Sequence, residues 1–188
     1  FFGGFGQTEW KIGSDWTLTA GLRWDSFDRR TELVTGTPLT ERERVDSSES
    51  AFSPKLSLSR RVGDRHLLYA SYGRGFSSNF GPIWQWDPSQ YARDVKPTTL
   101  DSVEIGAKGR SRDGRLTWST ALFALEQRDR LLFPANPAAE TDFTAPGTLA
   151  TTGQLYRSVG LELWANWQVS GSTRLDVSGS YIEPEWAE

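Results

Sequence analysis

The sequence predicts an all-β fold, in which about eight strands form part of an antiparallel, up-and-down transmembrane β-barrel. Three observations predict it. Segments of roughly 10 residues alternate between apolar and polar side chains, as barrel strands do. Very short Gly/Asp-rich turns and long polar loops join these segments in alternation, which is typical of a barrel with one trimmed and one elaborate rim. No apolar run reaches the length of about 18 residues that a transmembrane helix needs.

The first two segments are Gly6 to Ile12 and Trp16 to Asp25. In the second, even positions are apolar and odd positions are Thr, Gly, Arg or Asp, so one face suits lipid and the other suits water. Trp16 and Trp24 then stand at the two ends of the apolar face, where interfacial aromatic girdles are expected. The opposite parity places Arg23 on lipid, at a cost of roughly 2–4 kcal/mol near the midplane.

The same alternation continues along the chain. In each later segment, the apolar residues at every second position define the face predicted to meet lipid. In the segment 116–126 the pattern favours the face of Trp118, Leu122 and Ala124, although Phe123 and Leu125 fall on the other face. The remaining apolar-face residues are Leu56 and Leu58; Leu68, Ala70 and Tyr72; Val103, Ile105 and Ala107; Val159, Leu161, Leu163, Ala165 and Trp167; and Leu175, Val177, Gly179 and Tyr181.

Four tight turns separate pairs of these segments, at 12–15, 62–65, 112–115 and 169–172. Three long connections alternate with them: Ser26 to Ser50, Phe76 to Leu100 and Gln127 to Thr152, each about 25 residues. Loops of this length are uncommon in compact soluble domains and usually carry function.

Composition excludes several classes of protein. There is no Cys, so disulfides, thiolate metal sites and Cys nucleophiles are excluded within the chain. The net charge of -3 provides no basic surface for nucleic acid. Hydrophobic residues make up 37%, but low mean hydropathy is compatible with a barrel whose strands meet lipid at every second residue. Because the chain has no Met and ends within a predicted strand, we expect a fragment.

Several phrases resemble the barrel of TonB-dependent outer-membrane receptors of the siderophore type. Six of them occur in the family's order: 18–25 (LTAGLRWD), 53–58 (SPKLSL), 68–76 (LYASYGRGF), 103–108 (VEIGAK), 121–123 (ALF) followed by Asp129, and 160–163 (GLEL). The resemblance implies that residues 1–188 are part of a 22-stranded barrel domain that lacks its plug and its terminal strands.

The resemblance also implies uptake of a ferric siderophore or a similarly scarce nutrient across the outer membrane of a Gram-negative bacterium. Expected partners are outer-membrane lipid and lipopolysaccharide, the ferric chelate, and TonB through the missing plug. Neither a nucleic acid nor a cofactor is expected. Because the strands would form a pore wall, we expect no enzyme activity and no catalytic or metal-ligating residues.

Two sets of candidate site residues follow. An aromatic cluster with one Arg in the second long connection is predicted to hold the ligand, through ring contacts and guanidinium pairing; the alternative is that the rings pack the loop on itself. Its members are Phe80, Trp84, Trp86, Tyr91 and Arg93. The residues predicted to face the lumen, against a plug or as a hydrated wall, are Arg23, Glu104, Lys108, Arg110, Glu162 and Asp176.

The first long connection, Ser26 to Ser50, carries charges of both signs, and this favours a solvated surface over contact with lipopolysaccharide phosphates.

Two alternative interpretations of the whole chain are open: a complete eight-stranded outer-membrane barrel acting as an anchor or adhesin, and a soluble β-sandwich that binds carbohydrate through its Trp residues. The second requires the apolar faces to meet in a dry core.

Overall fold

The computed structural model describes residues 1–35, 41–78, 97–132 and 151–187. Within them the chain forms eight β-strands, and no helix is long and apolar enough to cross a membrane. The strands are β1 (Phe2–Ile12), β2 (Trp16–Thr35), β3 (Glu41–Val62), β4 (His66–Ser77), β5 (Thr98–Arg110), β6 (Leu116–Leu132), β7 (Thr151–Gln168) and β8 (Arg174–Ala187).

The strands form one antiparallel sheet in which each strand pairs with its neighbours in sequence, in the order β1 to β8. In the described strands β1 pairs with β2 and β8 pairs with β7, and no ladder joins β1 to β8. The predicted up-and-down arrangement is therefore confirmed. A closed eight-stranded barrel, the alternative considered above, requires the ladder that the described sheet lacks.

All four tight turns lie where the sequence predicts them, along one end of the sheet. Gly13, Gly63 and Gly114 have φ values of 65°, 59° and 71°, a region that only Gly enters at low cost. In the third turn Asp113 acts as a local acceptor: its Oδ1 accepts hydrogen bonds from the Ser111 hydroxyl at 2.5 Å and from the Arg115 backbone N–H at 3.1 Å. These bonds fix the turn, because the carboxylate replaces missing backbone partners.

The strands extend further into the first long connection than the sequence predicts. β2 and β3 remain paired up to Thr35 opposite Glu41, so the prediction of a loop from Ser26 to Ser50 is wrong except for residues 36–40, which lie outside the described residues. The register places Arg30 opposite Asp46 and Glu32 opposite Arg44. Opposite charges at directly paired positions favour a ladder, so this mixed-charge segment is compatible with a hairpin arm.

The ladder between β3 and β4 ends much earlier. The last pair of this ladder at the loop end is Lys55 opposite Gly73. The next residue of β3 in that direction is Pro54, whose ring nitrogen has no hydrogen to donate.

The third connection is also shorter than predicted, because β6 runs to Leu132 and β7 begins at Thr151. Asp129, with φ at 55°, lies in the bulge between Gln127 and Arg130 where the regular β6–β7 register is lost.

The sheet has two chemically different faces and no dry core among the described residues. Ala121 is the one hydrophobic side chain classed as buried. Large apolar side chains on the face predicted to meet lipid are exposed; the exposed fraction is 62% for Ile105, 61% for Leu122 and 54% for Val177. A soluble β-sandwich buries such residues against a second sheet, so this arrangement contradicts that alternative. An apolar surface of this extent requires an apolar medium or partner.

Two Gly residues on the polar face lie under aromatic rings of the neighbouring strand. The Tyr69 ring covers Gly106 and the Phe123 ring covers Gly160, each directly opposite in register. A Cβ at Gly160 would also lie 2.8 Å from the carbonyl oxygen of Tyr181. Phe123 therefore lies on the polar face without breaking the register, because the absent side chain of Gly160 leaves room for its ring.

We predict that Gly160→Ala destabilises the folded protein by about 1–3 kcal/mol, since the added methyl overpacks the space under Phe123. Gly179→Ala is the matched control, because a Cβ at Gly179 meets no atom within 4 Å. Urea unfolding of the purified protein in detergent measures both changes. Equal midpoints for the two variants would contradict the proposed close packing.

We predict a pH-dependent contribution from Asp113. The Ser111 hydroxyl, followed by the Arg115 backbone N–H, lowers the pKa of the Asp113 carboxyl below its usual value. The charged form is thus favoured by folding, so its contribution is complete above about pH 4, the ordinary Asp pKa, and is lost as the pH falls through the lowered pKa. The difference in unfolding midpoint between wild type and Asp113→Asn is expected to shrink on acidification. In a Ser111→Ala background this pH-dependent difference is expected to be smaller; an unchanged difference would contradict the assigned cause.

Candidate functional site

The six residues predicted to face a lumen all lie on one face of the sheet. Directly paired residues share a face, and so do positions two apart along a strand. Following the register from β2 to β8 therefore connects the whole set on a single polar face: Arg23, Glu104, Lys108, Arg110, Glu162 and Asp176.

Three of these residues gather around Tyr69. The Tyr69 hydroxyl donates a hydrogen bond of 2.5 Å to Glu104 Oε1, and Lys108 Nζ lies 5.1 Å from the centroid of the Tyr69 ring. Glu162 lies along the same open groove of about 640 Å³, whose floor includes Ser119 and Ser178. The arrangement offers a cation, two carboxylates and hydroxyl groups to whatever lies against it, and is suited to hydrogen bonding with a polar surface.

The other three predicted residues lie apart from this groove. Arg23 forms a two-point ion pair with Asp25, with Nε to Oδ2 at 2.7 Å and Nη2 to Oδ1 at 2.8 Å. Asp25 is fully buried beneath it, whereas the Arg23 side chain is 56% exposed. Arg110 is exposed near the third tight turn, and Asp176 accepts a hydrogen bond from the Asn166 amide near the fourth. The structure therefore brings together Glu104, Lys108 and Glu162 but not all six.

The opposite face carries an apolar band between two sets of aromatic residues. Trp16 and Trp24 are eight residues apart on β2, roughly 26 Å along an extended strand, which matches the height of about 25 Å of the apolar band on membrane barrels. Aromatic residues also lie towards the two ends of the apolar series on other strands. Near the tight turns these are Trp118 and Trp167, and at the other end Phe52, Tyr72 and Tyr181.

At the loop end of this face, Tyr72 and five charged residues form a connected group that the sequence analysis did not identify. We call it the rim network, and it spans four strands, from β4 to β7. Its members are Tyr72, Arg74, Asp101, Glu126, Arg128 and Arg157. The available signal was positional: at the loop end of each of these four strands, the first residue after the apolar series on that parity is charged.

Asp101 is the centre of one half of the rim network. Arg74 donates to it twice, from Nε at 2.8 Å and from Nη2 at 2.9 Å, and the Tyr72 hydroxyl donates at 2.6 Å. Arg128 Nη1 lies 3.8 Å from the same carboxylate. In the other half, Glu126 accepts from Arg157 Nε at 2.7 Å and pairs with Arg128. Arg128 therefore joins the two halves.

The residues of the predicted ligand cluster, Phe80, Trp84, Trp86, Tyr91 and Arg93, lie outside the described residues. The described chain leads to them through the loop end of β4. There the Phe27 ring lies 5.5 Å from that of Phe76 and 4.8 Å from that of Phe1, and the Ser78 hydroxyl donates a hydrogen bond of 3.2 Å to Glu49. The start of this connection is thus held against the β2–β3 arm.

Metal-ligating side chains do not cluster in the described part of the chain: no group of three His, Asp or Glu residues there is placed to hold a metal ion.

Comparisons with known proteins agree with this geometry. The family model described as "TonB dependent receptor-like, beta-barrel" matches residues 2–185. A probable TonB-dependent receptor, BfrD of Bordetella pertussis, is 30% identical over 174 residues, covering 88% of this chain and 21% of the relative. A ferric-pyoverdine BN7/BN8 receptor of Pseudomonas putida is 27% identical over 173 residues, covering 90% of this chain and 20% of the relative.

Among solved structures, the ferric yersiniabactin uptake receptor FyuA of Yersinia pestis superposes with a TM-score of 0.75 at 17% identity, covering 98% of this chain and 27% of that one. This likeness shows the fold. The chain spans about a fifth of the length of the curated relatives. Proteins of the matched family are barrels of the Gram-negative outer membrane and act as receptors and transporters rather than enzymes. The chain therefore belongs to the TonB-dependent receptor family and forms eight strands of its β-barrel.

Proposed function

We propose that these strands form part of the wall of a receptor that imports a ferric siderophore, or a similarly scarce nutrient, across the outer membrane. The observation that carries the proposal is the single sheet with one apolar and one polar face, in a chain of this family. The cargo is inferred from a relative named as a ferric-pyoverdine receptor. Because the chain spans only about a fifth of that relative, transport belongs to the complete receptor.

In this proposal the apolar face meets lipid and the polar face lines the barrel lumen. The lumen-facing residues are then Arg23, Glu104, Lys108, Arg110, Glu162 and Asp176. The groove around Tyr69 supplies charged and hydroxyl groups to a plug, whose release is coupled to TonB. Residues 1–188 are accordingly one part of a barrel domain whose plug and terminal strands lie elsewhere in the receptor.

We further propose that the ligand binds at the loop end of the sheet, through Phe80, Trp84, Trp86, Tyr91 and Arg93. Aromatic rings supply apolar and stacking area to a planar chelating group. The guanidinium pairs with the anionic oxygens of the chelate in a charge-assisted, two-point geometry. Support comes from position: this connection begins immediately after Ser78, which is held at the loop end by Glu49.

The outer surface of the wall is proposed to contact outer-membrane lipid and lipopolysaccharide. On β2 the apolar band between Trp16 and Trp24 matches the acyl region in height. Trp and Tyr side chains at its edges suit the interfaces, because they combine an apolar ring with a hydrogen-bond donor.

Single Cys substitutions test the orientation, and no native Cys within residues 1–188 competes for the label. In the complete receptor in liposomes, Glu104→Cys and Glu162→Cys are expected to react with a water-soluble maleimide. Ile105→Cys and Leu163→Cys, the adjacent residues, are expected to resist it while a spin label at either site reports high oxygen accessibility, as in lipid. The reverse pattern would contradict the proposed faces.

Paired Arg substitutions test the ligand site. Arg93→Gln in the complete receptor is expected to weaken binding of the ferric siderophore by about tenfold or more, since a charge-assisted hydrogen bond contributes roughly 1.5–3 kcal/mol. Arg42→Gln, in the mixed-charge arm, is the matched control and is expected to leave the affinity unchanged. Isothermal titration with the ferric and iron-free chelates measures both. A larger loss for Arg42→Gln would move the site to the arm.

A further inference from the structure

The rim network presents hydrogen-bond donors rather than acceptors at its surface. Its two carboxylates are mostly covered, with Asp101 15% and Glu126 21% exposed. The guanidiniums lie outermost, with Arg74 37%, Arg128 52% and Arg157 51% exposed. Each guanidinium has five N–H donors, and each carboxylate already accepts from at least two partners. The accessible unused groups are therefore N–H donors of Arg.

The net charge of the rim network also favours an anion. The network contains three guanidiniums and two carboxylates, so one positive charge is not compensated within it. The excess lies on the β4–β6 side, because Glu183 and Glu185 of β8 share this face and lie opposite Val159 and Arg157 in register. Arg74 and Arg128, which flank the single carboxylate of Asp101, are thus the best placed to take an external anion.

A second feature lies directly beside the network on the same face. An apolar hollow of about 400 Å³ opens between β5, β6 and β7. Along these strands its lining residues Val103, Ala124 and Val159 precede or follow the network residues Asp101, Glu126 and Arg157 by two positions. The guanidiniums of the rim network therefore adjoin an apolar hollow whose lining includes Tyr181.

These two features together favour one occupant. A phosphorylated lipid of the outer leaflet joins an anionic headgroup to an acyl chain. The rim network and the hollow are two residues apart along each strand, about 7 Å, and the two parts of such a lipid are joined at this distance. Free phosphate uses the guanidiniums but leaves the hollow empty. A neutral lipid fills the hollow but leaves the Arg donors unused.

We propose that the rim network and the adjoining hollow bind one phosphorylated lipid of the outer leaflet, with a phosphate on Arg74 and Arg128 and an acyl chain over Ala124. Arg–phosphate pairing is charge-assisted and two-pronged, so the guanidinium geometry suits a phosphate group. The inference rests on the proposed function in one respect: the apolar face must be the lipid face. It deepens that proposal by giving the wall a specific lipid contact.

The test uses the complete receptor, refolded in detergent free of bacterial lipid, with diphosphorylated lipid A and its dephosphorylated form as probes. Native mass spectrometry measures the apparent affinity for each. Wild type is expected to bind the phosphorylated form at least about tenfold more tightly, as one or two charge-assisted hydrogen bonds predict. Equal binding of the two forms would overturn the proposal.

Three variants locate the contact. Arg128→Gln is expected to remove most of the preference for phosphate; it leaves Asp101 bound by Arg74, and Glu126 bound by Arg157. Arg60→Gln, on the same face at the tight-turn end, is the matched control and is expected to keep the preference. Ala124→Phe fills the hollow and is expected to weaken both forms of the lipid equally. Similar losses in Arg60→Gln and Arg128→Gln would indicate general charge attraction and overturn the site.

Two further readouts separate the explanations. Displacement of the lipid by inorganic phosphate at equal concentration would overturn the lipid as occupant in favour of a free anion. Heat-modifiable migration on gels verifies that each variant is folded. If the Cys accessibility pattern above reverses, the proposed function fails. If that pattern stands and Arg128→Gln binds as wild type does, only the present inference fails.

Discussion

The structure depends on one constraint: the ladder of an antiparallel sheet fixes the face of every side chain at once. Because pairing joins residues directly opposite one another and the pleat has a period of two, the parity of one strand sets the parity of all eight. Backbone groups between strands are satisfied within the sheet, and this allows a strand to cross a medium that offers no hydrogen bonds. A shift of one residue in the β6–β7 ladder would exchange Leu163 for Glu162 on the apolar face.

This constraint explains how much the sequence alone predicts. Alternation identifies the faces of β2, β5 and β7, and the turn glycines locate one rim, because both signals are local. The face of Phe123 could not be settled locally, since it depends on Gly160 of the next strand leaving space for the ring. The lengths of the β2–β3 arm and of the β3–β4 ladder were also not predictable, as they depend on cross-strand register and on where Pro54 interrupts pairing.

Electrostatics divides the two faces in a second way. On the polar face, Glu104, Lys108 and Glu162 stand around Tyr69 with water-accessible space before them. On the opposite face, charged residues lie at the ends of the apolar band: Arg60 opposite Trp16 at the tight-turn end, and Arg74, Asp101 and their neighbours at the loop end, where the guanidiniums saturate the carboxylates. Sequence reasoning treated charge as evidence for the polar face and therefore overlooked the rim network. A charge on the apolar parity is tolerated where the acyl region ends, because its cost falls to about 0–1 kcal/mol near the interface.

The same constraint accounts for a wall whose fold is shared at low sequence identity. FyuA superposes with a TM-score of 0.75 although only 17% of residues are identical. Parity, turn chemistry and pairing tolerate many substitutions, provided that apolar residues replace apolar ones on the lipid face. Specificity for a chelate, by contrast, needs particular side chains at particular distances, and strands whose side chains already serve lipid or lumen have few to spare. For this recognition we propose residues between β4 and β5, among them Trp84, Trp86 and Arg93. The sheet contributes by fixing where such connections begin: Ser77 and Thr98 are directly paired across β4 and β5, so both ends of that segment are anchored side by side.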